Sequence, residues 1–172
     1  MKQYFSQCIV LFFPKIRCGK LPAISDLPSD RVIIEKLMEN LPVQFEIINN
    51  TTTYNSDNWP VASDSSTVNP DSFIATSFAA KFDNGFRKVV GIFSIPEAFH
   101  SKLIEEALLS IRPLDYCLGP EKSGGIYLLG MNMFDESLII GKPWNDTMLS
   151  KSIIREIGRQ KKILYKLPVL GI

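Results

Sequence analysis

Two short stretches of this chain hold residue types that, brought to one place, would grip a phosphorylated ligand. The first, KIRCGKL over residues 15–21, sets Lys15, Arg17 and Lys20 around Gly19. Cations able to form charge-assisted hydrogen bonds, next to one residue free to take unusual backbone angles, are what a diphosphate requires. The spacing is not GxxxxGK[ST], so the loop is no P-loop, and read by itself it also fits a solvated basic segment. The second stretch, EKSGG over residues 121–125, places Ser123 before Gly124 and Gly125. Paired glycines ahead of an apolar run allow close approach of backbone to a ligand or a neighbouring strand. A glycine-rich hairpin turn is the plainer reading of the same residues.

A third stretch, SIPEAFH over residues 94–100, holds Ser94, Glu97 and the sole histidine, His100. A site for Mg²⁺ or Mn²⁺ would want a carboxylate directly after the preceding apolar run, because these ions prefer hard oxygen ligands. Ser94 occupies that position, and a serine is a poor anchor for a divalent ion. Glu97 is three residues further on, where a carboxylate facing a helix macrodipole explains it equally well. His100 reads as a helix-entry residue, since no partner carboxylate or nucleophile can be assigned to it. Candidates for accepting a proton in any transfer chemistry are Glu97, Glu121 and Asp146, none of them at a diagnostic spacing.

These three segments need a scaffold, and the apolar patterning supplies one. Residues 7–13 (QCIVLFF) form a nearly continuous apolar strand, the pattern of a parallel strand buried on both faces, ended by Pro14. Residues 15–27 then form a loop at its carboxyl end. Residues 31–40 (RVIIEKLMEN) predict a helix with Val32, Ile33, Leu37 and Met38 on its apolar stripe and Ser29 or Asp30 as cap. A strand follows at 43–48, then a long polar stretch at 49–69 with Trp59, Pro60 and Val61 as its apolar landmarks. Helices are expected at 73–84, capped by Asp71 or Ser72 and stopped by Gly85, at 103–111 and at 147–159. Strands are expected at 88–93, 116–118, 125–131 and 162–166. Strands separated by helices of about three turns imply right-handed crossovers and a three-layer α/β/α arrangement around a mainly parallel sheet. In such a sheet ligands bind outside the carboxyl ends of the strands, where the three candidate segments fall.

With 172 residues, 45% of them hydrophobic, the chain reads as one domain able to bury roughly two-thirds of its unfolded surface. Nineteen Lys and Arg against 18 Asp and Glu leave no overall field to draw it onto nucleic acid or an anionic membrane. Any nucleotide site must be local. The apolar run at residues 8–13 is too short to span a bilayer and lacks the basic flank and cleavage site of a secretory signal. Cys8, Cys18 and Cys117 form neither a CxxC pair nor a disulfide framework, and reduced, packed thiols in the cytoplasm are the expectation. Cys18, beside Arg17 and Lys20, is the thiol whose pKa could be lowered.

Residues 73–144 also resemble a bacterial family of small GT-A-like proteins, the radical-SAM/selenodomain-associated glycosyltransferases. Family members read GYRRVV, IGSDCP, LGPAxDGGYYLIGL and PWST, in that order. This chain reads GFRKVV at 85–90, GIFSIP at 91–96, LGPEKSGGIYLLGM at 118–131 and PWND at 143–146. Residues 9–21 (IVLFFPKIRCGKL) resemble the family's LFxKxPxxGxxKTRL opening. The resemblance implies a Rossmann-like nucleotide-diphospho-sugar transferase fold and a single GT-A-like domain over 1–172, shortened around 49–70. It also implies a nucleoside-diphosphate sugar as partner, held by Lys15, Arg17, Gly19, Lys20, Ser94, Ser123, Gly124 and Gly125. The departures lie on one rim. Ser94 replaces the acid of SDCP, Ser123 replaces the aspartate of DGG, and Leu21, Pro22 and Ala23 replace KTR. No metal ligand is therefore assigned, and Mg²⁺ or Mn²⁺ enters only if the site is retained.

Two function classes follow. As an enzyme, the chain is a glycosyltransferase or related nucleotide-diphosphate-dependent transferase in which Lys15, Arg17 and Lys20 neutralise the leaving diphosphate without a metal. As a pseudoenzyme, it keeps the fold as a non-catalytic binding or partner-interaction module. Convergence of Ser94, Ser123 and the first-loop cations on one concave pocket favours the first. A rim filled by Ile95 or Phe99 favours the second.

Overall fold

Strand β1 (Cys8–Phe12) is buried at every position because its side chains feed two helix layers at once. Ile9 and Leu11, continued by Phe13, enter one apolar cluster, whereas Cys8, Val10 and Phe12 enter the other. That two-residue alternation is the geometry of a strand covered on both faces. The computed structural model describes residues 5–25, 27–48, 70–111 and 115–171; the polar stretch at 49–69, with Trp59, lies outside them.

After β1 the described elements are α1 (Pro28–Met38), β2 (Gln44–Ile47), α2 (Asp71–Asp83), β3 (Lys88–Ile92) and α3 (Ser101–Ser110). They are followed by β4 (Tyr116–Pro120), β5 (Ile126–Met131), a single 3₁₀ turn (Glu136–Leu138), α4 (Leu149–Arg159) and β6 (Leu164–Lys166). The six strands make one sheet in the order β2-β1-β3-β5-β4-β6. Five of them run in one direction, and β5 runs against both its neighbours, with Val90 opposite Gly130 and Leu118 opposite Leu129. The expected three-layer α/β/α arrangement around a mainly parallel sheet is what the chain forms. Helices α2 and α4 bury Phe73, Ile74, Phe78, Leu149, Ile153 and Ile157 on one face. On the other, α1 and α3 bury Ile34, Met38, Leu103, Ile104, Ala107 and Leu108.

Several local expectations need correction. Helix α1 begins at Pro28, whose ring presets the first helical turn and whose missing N–H is not needed there. It has no side-chain cap. Instead Asp30 accepts hydrogen bonds from the backbone N–H and the hydroxyl of Ser25, which ties the preceding loop to the helix. Its inward stripe is Ile34 and Met38, while Val32 is 61% and Ile33 46% exposed. Helix α2 also lacks a side-chain cap hydrogen bond, with Pro70 at the capping position; Asp71 accepts from the Gly141 N–H instead. Gly85 does end that segment, at a φ of +92° open to glycine at little cost.

Candidate functional site

Because β1, β3 and β4 are mutually parallel, their carboxyl ends share one rim of the sheet, and the start of the reversed strand β5 reaches the same rim. The connection from β4 to β5 is a tight hairpin. The Glu121 N–H donates to Gly125 O at 2.9 Å, and the Gly124 N–H donates to Glu121 O at 2.9 Å. The paired glycines thus sit in a hairpin turn.

The loop that leaves β1 crosses to this hairpin, although β3 lies between β1 and β5 in the sheet. The Ile126 N–H donates to Cys18 O at 2.9 Å. The N–H groups of Lys20 and Leu21 each donate to Glu121 Oε1 at 2.7 Å, and the Ser123 hydroxyl donates to the same oxygen. The approach is backbone to backbone. A Cβ on Gly125 would stand 1.7 Å from Cys18 O, and one on Gly124 1.8 Å from Thr147 O. The glycines thus give their room to neighbouring chain. From the third side, the Ser150 N–H donates to Gly124 O at 2.9 Å, which fixes the amino end of α4 against the hairpin.

Three segments far apart in sequence, Cys18–Leu21, Glu121–Gly125 and Thr147–Ser150, therefore meet at one point. Beside them Phe93 stacks on Phe13 with ring centroids 5.1 Å apart and tilts against Trp144 at 5.3 Å, so the apolar ends of β1 and β3 support the rim from below. Trp144 is fully buried, and its indole N–H donates to Ile139 O at 2.8 Å.

Each candidate residue has a definite place. In the first loop, burial alternates with charge: Ile16 and Cys18 turn inward, and Lys15, Arg17 and Lys20 are exposed. Lys15 has a φ of +65°, and the Arg17 Nε donates to Gly19 O at 2.9 Å, curling the loop around Gly19 at a φ of +125°. Ser94 is 4% exposed, and its hydroxyl is buried without a hydrogen-bond partner. Ser123 is half-buried, Glu97 and Asp146 are exposed, and Asp146 accepts from the Met148 N–H at 3.2 Å, ordering the turn into α4. His100 stands exposed at the entry to α3. Phe99 is buried among the core residues, and Ile95 packs partly against the same cluster.

Sequence reasoning did not foresee the part played by Glu121. It is 5% exposed, and its second oxygen, Oε2, is buried without a hydrogen-bond partner. Its partners are backbone amides about a hundred residues away, which no spacing encodes. The same carboxylate corrects the expectation for Cys18. Burial first, and the nearby Glu121 charge second, push that thiol well above its ordinary value, so the protonated form is favoured despite Arg17 and Lys20.

A second polar cluster sits at the opposite end of the sheet, where β4 begins and β5 ends. The Tyr116 hydroxyl donates to Asp135 Oδ2 at 2.6 Å and accepts from Lys162 Nζ at 2.8 Å. Asp135 also takes the N–H and hydroxyl of Ser137, and Gln160 donates to the Ser137 hydroxyl at 2.7 Å. Burial alone would raise the Asp135 pKa, but the hydrogen bonds from Ser137, Tyr116 and Gln160 outweigh it and hold the carboxyl below its ordinary value. The cluster links the 3₁₀ turn, the end of α4 and β4, and it is remote from the rim.

Among the described residues no three His, Cys, Asp or Glu side chains gather as a metal-ligand set. The rim donors fit Mg²⁺ or Mn²⁺ poorly, since Ser94 and Ser123 are hydroxyls and Glu121, whose Oε1 already accepts three hydrogen bonds, leaves the single buried oxygen Oε2 to offer. No helix among those residues is long and apolar enough to cross a membrane.

Comparison with known proteins adds the fold. No family model and no curated protein matches the chain. Among solved structures, it is similar to a candidate nucleotide-diphospho-sugar transferase from Desulfovibrio desulfuricans G20, with a TM-score of 0.71 and 17% sequence identity. The alignment covers 97% of this chain and 82% of that one. The two chains share one fold.

Proposed function

We propose that the chain is a divergent relative of the radical-SAM/selenodomain-associated transferases that binds a nucleoside-diphosphate sugar at the carboxyl rim of its sheet. The observation that carries this reading is the meeting of Cys18–Leu21 with Glu121–Gly125 and the start of α4. The first two lie in stretches where the sequence resembles that family, and all three assemble where ligands enter an open α/β sheet. Lys15, Arg17 and Lys20 supply exposed positive charge beside that meeting point. Opposite a diphosphate they would bind it in the ground state and neutralise the charge that develops on it as a leaving group. The hydroxyls of Ser94 and Ser123 are the neutral polar groups that would orient the ligand, and Glu97 and Asp146 are the exposed carboxylates open to an acceptor. No step is assigned to a metal.

A specific observation supports the second reading, a binding module without turnover. Ile95, next to Ser94 in sequence, packs partly against the apolar cluster that holds Phe99, so this segment serves packing as well. This second reading needs no turnover, and as a partner-interaction module it needs no nucleotide.

Thermal-shift titration with UDP, GDP, CDP and dTDP sugars, with and without Mn²⁺, tests the ligand of the first reading. One nucleotide should raise the melting temperature by several degrees, because a ligand that binds only the folded state stabilises it. The R17A/K20A double variant should lose most of that response. If no donor has any effect at millimolar concentration, the nucleotide-sugar reading falls. Hydrolysis or transfer of the responding donor then separates enzyme from binding module.

A further inference from the structure

Consecutive backbone N–H groups aimed at one point form a concavity that binds anions. In this chain the N–H groups of Lys20 and Leu21 converge in that way, and the atom at their focus is Glu121 Oε1, 2.7 Å from both. The Ser123 hydroxyl closes on it from a third direction. The occupant of the cradle is a carboxylate of the chain itself, 95% withdrawn from solvent.

Two features make this more than a staple between loop and hairpin. First, Oε2 of the same carboxylate is buried and has no hydrogen-bond partner. Holding two amides takes one acceptor oxygen, and the carboxylate buries a second one unsatisfied, which is costly. Second, Gly19 makes the room. A Cβ there would stand 2.3 Å from Oε2, and the φ of +125° is one that residues with side chains rarely adopt. The loop is shaped to admit both oxygens of an anionic group, and its Lys15, Arg17 and Lys20 bring exposed positive charge to the same segment.

The geometry points to Glu121 as an internal anion that occupies the phosphate cradle of the first loop, so that a phosphoryl oxygen can enter only when this carboxylate withdraws. The ligand class is a phosphate or pyrophosphate group, free or as part of a nucleoside diphosphate. The inference rests on reading the rim as a diphosphate site and adds its regulation: the empty site is closed by the chain's own charge. Release requires no change of fold. Glu121 follows an irregularity in the β4–β5 pairing at Gly119 and Pro120, and its side chain turns about several single bonds.

The test uses the full isotope-labelled chain, as wild type, E121A and E121Q, titrated with inorganic pyrophosphate against chloride of equal ionic strength. Backbone amide shifts are followed by NMR. E121A should bind roughly tenfold more tightly than wild type or better, as expected when a charge-assisted competitor is removed. The shifts should centre on Lys20 and Leu21. E121Q should fall between, since its amide oxygen still accepts from both N–H groups but carries no charge. Folded variants that bind no better than wild type, or that shift elsewhere, overturn the proposal. If E121A loses its fold, E121Q decides alone, a gain supporting and no gain overturning. The two readings fail separately. Pyrophosphate entering E121A while no nucleotide sugar stabilises any form leaves the closed cradle standing and removes the transferase ligand. Wild type binding a nucleotide sugar as tightly as E121A does the reverse.

Discussion

Gly125 and Cys18 touch backbone to backbone, with a Cβ added at Gly125 falling 1.7 Å from the Cys18 carbonyl oxygen. Neither partner can yield easily, because that oxygen also accepts the Ile126 N–H at 2.9 Å. G125A should therefore destabilise the chain by about 3 kcal/mol, the upper range of overpacking effects. G158A is the contrast, since nothing lies within 4 Å of a Cβ at Gly158 in helix α4. It should stabilise by about 0.5–1 kcal/mol through lower unfolded-state entropy. Urea unfolding of both variants measures the difference, and equal midpoints would contradict the close approach at Gly125.

Replacing Ser94 separates scaffold from site. Its hydroxyl is buried and unpartnered in the ligand-free chain, so S94A should raise stability by about 1 kcal/mol as an unsatisfied polar group is removed. If the hydroxyl meets the ligand, the same variant should weaken the thermal response to the best nucleotide sugar. A variant both less stable and fully responsive would show that Ser94 supports the fold alone.

The remote cluster predicts pH behaviour at both extremes. Asp135 has its pKa lowered on folding, so its contribution is present above the unfolded carboxylate value and is lost as pH falls through the folded one. D135N should cost ~2 kcal/mol at neutral pH, as expected for hydrogen bonds to a charged acceptor, and should flatten the acid limb of the stability profile. Tyr116 is shifted upward, by burial first and by its bond to Asp135 second, and Tyr127 by burial and then by the charges of Cys117 and Glu106. Stability held by these phenols is complete below the unfolded tyrosine value and is lost as pH rises through the folded ones. Tyrosinate absorbance should show a late phase coincident with alkaline unfolding, and Y116F should remove part of its amplitude.

The thiols should be inert until the chain opens. Burial pushes Cys117 up to about 12 and raises Cys8 and Cys18 as well. Reaction with a disulfide reagent should be at least about a hundredfold slower in the native protein than in urea, because the thiolate is disfavoured and access needs local opening. Rapid native labelling of Cys18 would contradict the packing of the first loop.

How much of this was legible in the sequence depended on the kind of information each feature carries. Continuous apolar runs placed β1, β3 and β5, since a strand covered on both faces needs no polar residue. Gly85 marked the end of α2 because its backbone angle suits glycine. Contiguous Val32, Ile33 and Ile34 were ambiguous: three adjacent apolar residues span too wide an arc for the 3.6 period to choose a face, and packing selected Ile34. The direction of β5 was hidden because an apolar run reads the same both ways, and only the short Glu121–Gly125 turn excludes a crossover. Of the candidate site, the cations and glycines were visible as types. The role of Glu121 was not, because its partners are main-chain groups that every residue possesses.

That one reversed strand also bears on the order in which the molecule assembles. Only β4 and β5 are joined by a tight turn, and the other four pairings each close a loop that contains at least one helix. Loop-closure entropy makes the hairpin the inexpensive first step and the docking of β1 a late one. The rim therefore cannot exist before the two ends of the fold have found each other. The contact that shuts the cradle also reports that the sheet is complete.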